Sequence, residues 1–186
     1  MVIKQKRTMK RKKESTIASI LLVIMFLFLS GCTENEPQPP LTYVNEDYGF
    51  GLNPPEGWTI NLNTSDPVKF FCPDQNDYQV HIAVKKPVLS NDTLEDAVNQ
   101  LIEFYTETFF ENFALISSQS KQINGLNAYE LVYSEGRQPN LLQHKQMLFE
   151  KVNGTYIYTL TYIALVRDYN RYVSVVDQCI NSFTLF

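Results

Sequence analysis

Apolar and polar residues alternate over short runs from residue 43 onward, a spacing typical of β-strands. Between residues 43 and 84 this alternation predicts five strands, separated by turn-rich segments: Tyr43–Val44, Phe50–Leu52, Thr59–Leu62, Val68–Cys72 and Tyr78–Val84. The segment 53–58 contains two prolines and a glycine. It predicts a tight turn, because proline fixes φ and glycine permits a positive φ.

The apolar spacing changes to three and four residues in two places, which predicts two helices. The first begins where Asp92 with Glu95, or Thr93 with Asp96, forms a capping-box pattern. Its buried face would hold Leu94, Ala97, Val98, Leu101, Tyr105 and Phe109. The second helix is predicted to have Asp168 or Asn170 as its N-cap. Its buried stripe would hold Tyr172, Val173, Val176, Cys179, Ile180 and Phe183.

Three or four further antiparallel strands are predicted between the two helices. Asn124-Gly125 and Asn153-Gly154 each separate two alternating runs, and Asn-Gly at such a position favours a type I′ turn between antiparallel neighbours. Residues 155–164 are apolar on both faces, which indicates a central strand covered on both sides. The predicted fold class is therefore α+β, an α/β/α sandwich in which one helix flanks each face of a central antiparallel sheet.

The start of the chain has a different pattern. Residues 1–31 combine a basic segment with an apolar run, Ile17–Leu29, and small residues follow. This order is typical of a secretory signal, and the run is shorter than the roughly 20 residues that a spanning helix needs. Leu29-Ser30-Gly31-Cys32 resembles the lipobox of prokaryotic lipoproteins. The resemblance implies cleavage between Gly31 and Cys32, and acylation of Cys32 at the extracytoplasmic face of the cell membrane.

The predicted organisation is thus a signal peptide at 1–31, an extended tether at 32–42 and one domain at 43–186. The first 31 residues hold seven of the chain's 16 Lys and Arg residues and one of its 20 Asp and Glu residues. Residues 32–186 therefore carry nine basic and 19 acidic residues, a net charge of −10. Such a surface repels phosphate backbones and anionic lipid heads, which excludes nucleic acid and leaves the acyl group as the membrane anchor.

Candidate chemistry is sparse. Cys72 and Cys179 could form a disulfide in an oxidising compartment, or be two separate buried thiols, and the sequence leaves both open. His81 and His144 are the only histidines, and neither belongs to a recognisable catalytic or zinc motif. We therefore predict no catalytic residue, metal or cofactor. Three asparagines fit the N-glycosylation sequon: Asn63, Asn91 and Asn153.

Three features resemble the PsbP-like family, named for an extrinsic subunit of photosystem II. Tyr48–Leu52 runs into Pro55-Glu56-Gly57-Trp58, which is similar to that family's opening signature. The order of strands and helices is also similar, as is the closing Ile180-Asn181-Ser182-Phe183. The resemblance implies an α/β/α sandwich, with roles in binding and assembly at membrane complexes rather than in catalysis.

These observations favour a lipid-anchored, non-enzymatic domain that binds a protein partner and helps to assemble or stabilise an envelope complex. An alternative is a lipoprotein that binds a small ligand or a metal in a pocket between the sheet and a helix, lined by tyrosines. A hydrolase that uses His81 or His144 with a nearby acid is the third hypothesis. It requires one of these histidines to lie at a cleft.

Overall fold

Two helices pack on opposite faces of an antiparallel sheet in the computed structural model, which describes residues 40–74, 80–151 and 156–186. The helices are α1 (Leu94–Phe104), which continues into a π-helical turn at Tyr105–Phe109, and α2 (Val166–Asn181). The strands are β1 (Tyr43–Asn45), β2 (Phe50–Leu52), β3 (Thr59–Asn61), β4 (Val68–Phe71), β5 (His81–Val84), β6 (Val88–Leu89), β7 (Ala114–Ile123), β8 (Leu126–Glu135), β9 (Leu142–Glu150), β10 (Tyr156–Leu165) and β11 (Thr184–Leu185).

The strands form two sheets within the described ranges. The main sheet has the order β3-β4-β5-β10-β9-β8-β7, and β6 also pairs with β10. The small sheet has the order β1-β2-β11. All of these pairings are antiparallel. The predicted α/β/α sandwich is confirmed, and β10 lies inside the sheet as its two apolar faces predicted.

The larger hydrophobic core lies between the main sheet and α2. Alternate side chains of β10, namely Tyr158, Leu160 and Tyr162, point into this core. The stripe predicted for the second helix faces them, with Val176 and Ile180 buried. Trp58 packs against the same core, edge-on to Tyr172 at 6.1 Å between ring centroids. The turn before β3 is therefore held against α2.

The smaller core lies on the opposite face of the sheet, under α1. Leu94 and Val98 of the helix pack against Leu131 and Leu148 of the sheet. The helix begins as predicted, because Thr93 is the N-cap and its Oγ1 accepts a hydrogen bond from the Asp96 amide at 3.1 Å. α1 packs mainly on β8 and β9, and Ile157 of β10 packs against the same core. On this face the predicted cover of β10 is therefore partial, and Thr159, Thr161 and Ile163 line a cleft beside the helix.

The predicted Asn124-Gly125 hairpin joins β7 to β8. Asn124 has φ 51° and Gly125 has φ 76°, the two positive values that a type I′ turn requires. The Asn124 side-chain amide also donates to the backbone oxygens of Asn181 and Phe183, at 2.8 and 2.9 Å. The turn therefore also holds the end of α2. The second predicted hairpin turn, Asn153-Gly154, lies outside the described residues.

One prediction for the C-terminal segment is wrong, and one strand of that segment was not predicted. Helix α2 begins at Val166 with Leu165 as N-cap, so neither Asp168 nor Asn170 caps it. A side-chain cap is unnecessary for the first amide, because the Val166 amide donates to the Leu141 oxygen at 3.0 Å. Strand β11 follows the helix and pairs with β2, and the sequence analysis did not predict it.

Cys72 and Cys179 are two separate buried thiols and do not form a disulfide. The structure thus has the second of the two alternatives that the sequence left open. Both fill positions in the core between the sheet and α2, where a thiol behaves as a small apolar group. Burial raises the pKa of Cys179 to about 12. The predicted cleavage and acylation site at Gly31 and Cys32 lies outside the described residues. Within the described part of the chain, no helix is long and apolar enough to span a membrane.

Candidate ligand-binding cleft

A cleft of about 830 Å³ lies beside α1, over the face of β10 that the helix leaves uncovered. Its floor is formed by alternate side chains of the central strands, including Gln146, Leu148, Thr159, Thr161 and Ile163. Its walls come from α1 on one side and from the β6 segment on the other. The volume falls in the range of small-molecule sites.

The rim of the cleft is unusually apolar. Leu89 of β6 is 66% exposed, and Phe109 of the π-helical turn is 60% exposed. Val88 and Phe104 are also exposed at the same rim. Large apolar side chains grouped around a concavity are typical of a surface that is covered by a ligand or partner, whereas isolated ones are not.

The π-helical turn gathers the aromatic wall of the cleft. Tyr105, its first residue, lies 4.8 Å from the Phe110 ring, 5.9 Å from Phe113 and 5.3 Å from Tyr133, between ring centroids. A π-helical turn holds one more residue per hydrogen-bonded loop than an α-helix, and such turns are frequent at functional sites. Here the Phe110 amide closes the turn on the Tyr105 oxygen at 3.3 Å.

Two tyrosines are tied to the floor through a single glutamine. The hydroxyl groups of Tyr105 and Tyr133 donate to Oε1 of Gln146, at 3.1 and 3.0 Å. Burial raises the pKa of Tyr105 above the ordinary tyrosine value, and it raises the pKa of Tyr133 well above that value. Both hydroxyls therefore stay neutral and keep donating across the physiological pH range.

His144 lies next to this group, and it is 4% exposed. Its imidazole stacks on Tyr133 at 4.6 Å with an interplanar angle of 10°, and Phe110 lies 5.7 Å away on ring centroids. Nε2 lies 3.2 Å from Oε1 of Glu135. Nδ1 is shielded from solvent and has no hydrogen-bond partner among the described residues. The cleft thus ends at a histidine with one nitrogen engaged and one unengaged.

Of the other predicted site residues in the described ranges, His81 and Asn63 do not line this cleft, whereas Asn91 does. His81 is on β5, with its ring 5.3 Å from Phe71. Asn63 and Asn91 are exposed and lie outside the helices and strands, and Asn153 is not among the described residues. No group of three or more His, Cys, Asp or Glu side chains in the described ranges could hold a metal ion.

The sequence analysis named His144 but did not bring it together with Tyr105, Tyr133 and Gln146. Not every tyrosine of the sheet lines the cleft, because the hydroxyls of Tyr158 and Tyr162 are on the α2 side and donate to backbone oxygens. Tyr133 and His144 are register partners on β8 and β9. That pairing depends on the length of the connection at 136–141, so counting residues in the sequence could not supply it.

Comparison with known proteins agrees with this architecture. The family model for PsbP-like proteins matches residues 30–185. The chain belongs to this family. Among curated protein sequences, none matches it.

Solved structures show the same fold at low sequence identity. LpqN of Mycobacterium tuberculosis, described as involved in cell envelope biogenesis, has a TM-score of 0.62 at 14% identity, over 75% of this PsbP-like chain and 86% of its own. The cyanobacterial PsbP protein CyanoP of Synechocystis sp. PCC 6803 has 0.57 at 16%, over 84% and 98%. PA94 of Pseudomonas aeruginosa, a protein of unknown function, has 0.51 at 20%, over 77% and 95%.

Proposed function

We propose that this PsbP-like chain is a lipid-anchored, non-enzymatic protein of the extracytoplasmic membrane face, and that its cleft binds a small molecule with an apolar body. The observation that carries the proposal is the cleft between α1 and β10. It matches the alternative sequence hypothesis of a pocket between sheet and helix, lined by tyrosines. The anchor at Cys32 rests on the lipobox resemblance.

The apolar body follows from what the cleft presents. Its rim exposes Val88, Leu89 and Phe109, and its interior offers Leu148 and Ile163. Covering apolar surface is favourable by roughly 25 cal/mol per Å². A flat or elongated apolar molecule therefore gains affinity along the whole cleft, whereas a fully polar one would lose solvent contacts without replacing them.

The geometry favours binding over hydrolysis. His144 lies at a cleft with an acid beside it, which is the arrangement that the hydrolase hypothesis required. A general base, however, needs a ring nitrogen within reach of the proton it removes. Nε2 is engaged with Glu135, and neither ring nitrogen is hydrogen-bonded to a serine, threonine or cysteine among the described residues. The imidazole therefore has no nucleophile to activate in this arrangement, which supports a recognition role for His144.

A filled-cleft variant tests the binding function. Ala97 lines the cleft, so Ala97→Phe should occupy part of it, and Val175→Phe on the exposed side of α2 is the matched control. We expect 2-methoxynaphthalene to bind the wild type and Val175→Phe equally by titration calorimetry. Ala97→Phe should bind at least roughly tenfold more weakly, about 1.4 kcal/mol. Absence of binding to the wild type, or equal binding by all three, contradicts the proposal.

A protein partner is the second candidate function. The outer strand β7 exposes two adjacent large apolar residues, Leu115 and Ile116. LpqN, which has the same fold, is described as involved in cell envelope biogenesis. A domain held at the membrane could use the β7 edge to assemble or stabilise an envelope complex, because an edge strand presents unpaired backbone groups to a partner.

Cross-linking in intact cells tests this candidate. Wild type and Leu62→Asp, which changes an exposed apolar residue elsewhere, should recover the same defined partner. Ile116→Asp should lose it, because a charge on the β7 edge opposes strand addition. Recovery of no defined partner by the wild type, or of the same partner by Ile116→Asp, contradicts this candidate function.

Intact-mass analysis tests the anchor. Protein extracted from membranes should lack residues 1–31 and carry added acyl mass at Cys32. Cys32→Ser should abolish that mass and release the protein from the membrane fraction, because one or more acyl chains supply the membrane affinity. Unmodified full-length protein would contradict the anchor.

A further inference from the structure

We infer that His144 is the polar end of the cleft, and that its Nδ1 accepts a hydrogen bond from a hydroxyl or N–H group of the ligand. The ligand class is therefore an apolar molecule with one terminal hydrogen-bond donor, such as a phenol or an alcohol. This inference rests on the proposed binding function and adds the chemistry of recognition to it.

Glu135 decides which nitrogen of His144 accepts. A carboxylate can only accept hydrogen bonds, so Nε2, which lies 3.2 Å from Glu135 Oε1, carries the proton of a neutral imidazole. The other nitrogen, Nδ1, then carries the lone pair. The stack on Tyr133 fixes the plane of the ring, and so fixes the direction of that lone pair.

The unengaged Nδ1 needs a partner. Most buried polar side-chain atoms in folded proteins have one, and an exception at a cleft calls for an explanation. The nearby hydroxyls do not supply it, because those of Tyr105 and Tyr133 both donate to Gln146. A donor on the ligand is a group of the right kind for this position.

The ligand reaches Nδ1 through the aromatic wall. Phe110 lies next to the imidazole and is only half-buried, at the point where the π-helical turn gives way to extended backbone. Turning this ring outward opens a path from the cleft to the histidine. The apolar body of the ligand would then replace the contacts that Phe110 makes.

An anionic ligand fits this end of the cleft poorly. The Glu135 carboxylate lies beside the imidazole, and it would repel a second carboxylate at close range. The hydroxyl groups of Tyr105 and Tyr133 could donate to such a ligand, but both already donate to Gln146. The acidic balance of residues 32–186 adds to the same repulsion.

Three probes with one apolar body test the inference: 2-naphthol, which donates; 2-methoxynaphthalene, which cannot; and 2-naphthoate, which is anionic. Titration calorimetry on the full chain carrying Cys32→Ser compares them. We expect 2-naphthol to bind at least roughly tenfold more tightly than either other probe. Phe110→Ala should bind 2-naphthol at least as tightly as the parent chain, because the path to Nδ1 is open.

Two variants isolate the histidine. His144→Phe keeps a ring against Tyr133 and should reduce the naphthol preference to less than about twofold. Glu135→Gln keeps the shape, but its amide can donate to Nε2, so Nδ1 can become the protonated nitrogen. We expect it to lose the naphthol preference and to gain affinity for 2-naphthoate.

The outcomes separate the two proposals. Equal wild-type affinities for 2-naphthol and 2-methoxynaphthalene, both lost in Ala97→Phe, would overturn the role of His144 and leave the binding function intact. Tighter binding of 2-naphthoate than of 2-naphthol would also overturn the role of His144. Failure of all three probes to bind retires the binding function together with this inference.

Discussion

The ammonium group of Lys145 on β9 lies 2.6 Å from the Asp177 carboxylate on α2, so one ion pair joins the middle of the sheet to the helix. Lys145 also lies 3.5 Å from Glu130 on β8, which in turn is 2.8 Å from Lys121. Lys145 and Glu130 are both buried. This network occupies the α2 face of the sheet, while the cleft occupies the opposite face.

Replacing Lys145 should therefore destabilise the domain. Lys145→Met keeps the length of the side chain but leaves Glu130 with fewer positive neighbours and Asp177 without its partner. We expect the free energy of unfolding to fall by about 1.5–3 kcal/mol, the usual contribution of hydrogen bonds to charged groups. Asp177→Asn is the milder comparison, since that side chain is 43% exposed. Denaturant titration measures both, and an unchanged midpoint for Lys145→Met contradicts the prediction.

Acid should weaken the same network. Burial alone would raise the pKa of Glu130, but hydrogen bonds from Lys121 and Gln119 and the charge of Lys145 outweigh burial, so its pKa is lowered. A carboxyl group with a lowered folded-state pKa stabilises the fold above its ordinary pKa, and this stability is lost as the pH falls through the lowered value. We expect Glu130→Gln to flatten the loss of thermal stability below about pH 4.5. Glu46→Gln, at an exposed position, should leave that loss unchanged.

The aromatic residue after α2 should be essential to stability. Phe183 is fully buried, and it stacks on Phe149 at 4.4 Å and on Phe50 at 5.8 Å between ring centroids. Phe183→Ala removes this packing and should cost about 3–5 kcal/mol of unfolding free energy. Phe186→Ala is the matched control, because that side chain is 56% exposed and should change stability by less than about 0.5 kcal/mol. Similar losses of unfolding free energy in the two variants would contradict the stabilising role of Phe183.

The two core thiols should be inert in the folded protein. Because burial raises the pKa of Cys179 to about 12, its thiolate is scarce at neutral pH. In Cys32→Ser protein, an aromatic disulfide reagent should react slowly with the native state at about pH 8 and should titrate both Cys72 and Cys179 after unfolding. A mass lower by two hydrogens, with no thiol titrated after unfolding, would show a disulfide and contradict the structure.

Local patterns predicted much of this fold. Alternation, helical spacing and Asn124-Gly125 each report on neighbouring residues, and the strands other than β6 and β11, both helices and the hairpin follow from them. Thr93 was identifiable because a capping box is a contact over three residues. The sandwich followed from the two apolar faces of β10.

The features that the sequence did not predict depend on contacts between residues that are far apart in the chain. β11 is two residues long and is a strand only because β2 offers it an edge. The predicted N-cap of α2 was wrong because the backbone oxygen of Leu141, rather than a side chain, accepts the hydrogen bond of the first helical amide. The cleft lies beside α1, which packs mainly on β8 and β9, and helix placement of that kind is not encoded in the apolar spacing of the helix alone.

Strand β2 pairs with β1, its neighbour in the chain, and with β11, so that Phe50 is opposite Leu185. Loop-closure entropy makes a contact between such distant residues slow to form. We expect β1 and β2 to pair early in folding and β11 to join last, after the main sheet and α2 have brought both ends together. During synthesis, a nascent chain would then keep the edge of β2 open until residues 184–186 emerge, and a chaperone that recognises unpaired strands would have that interval in which to act.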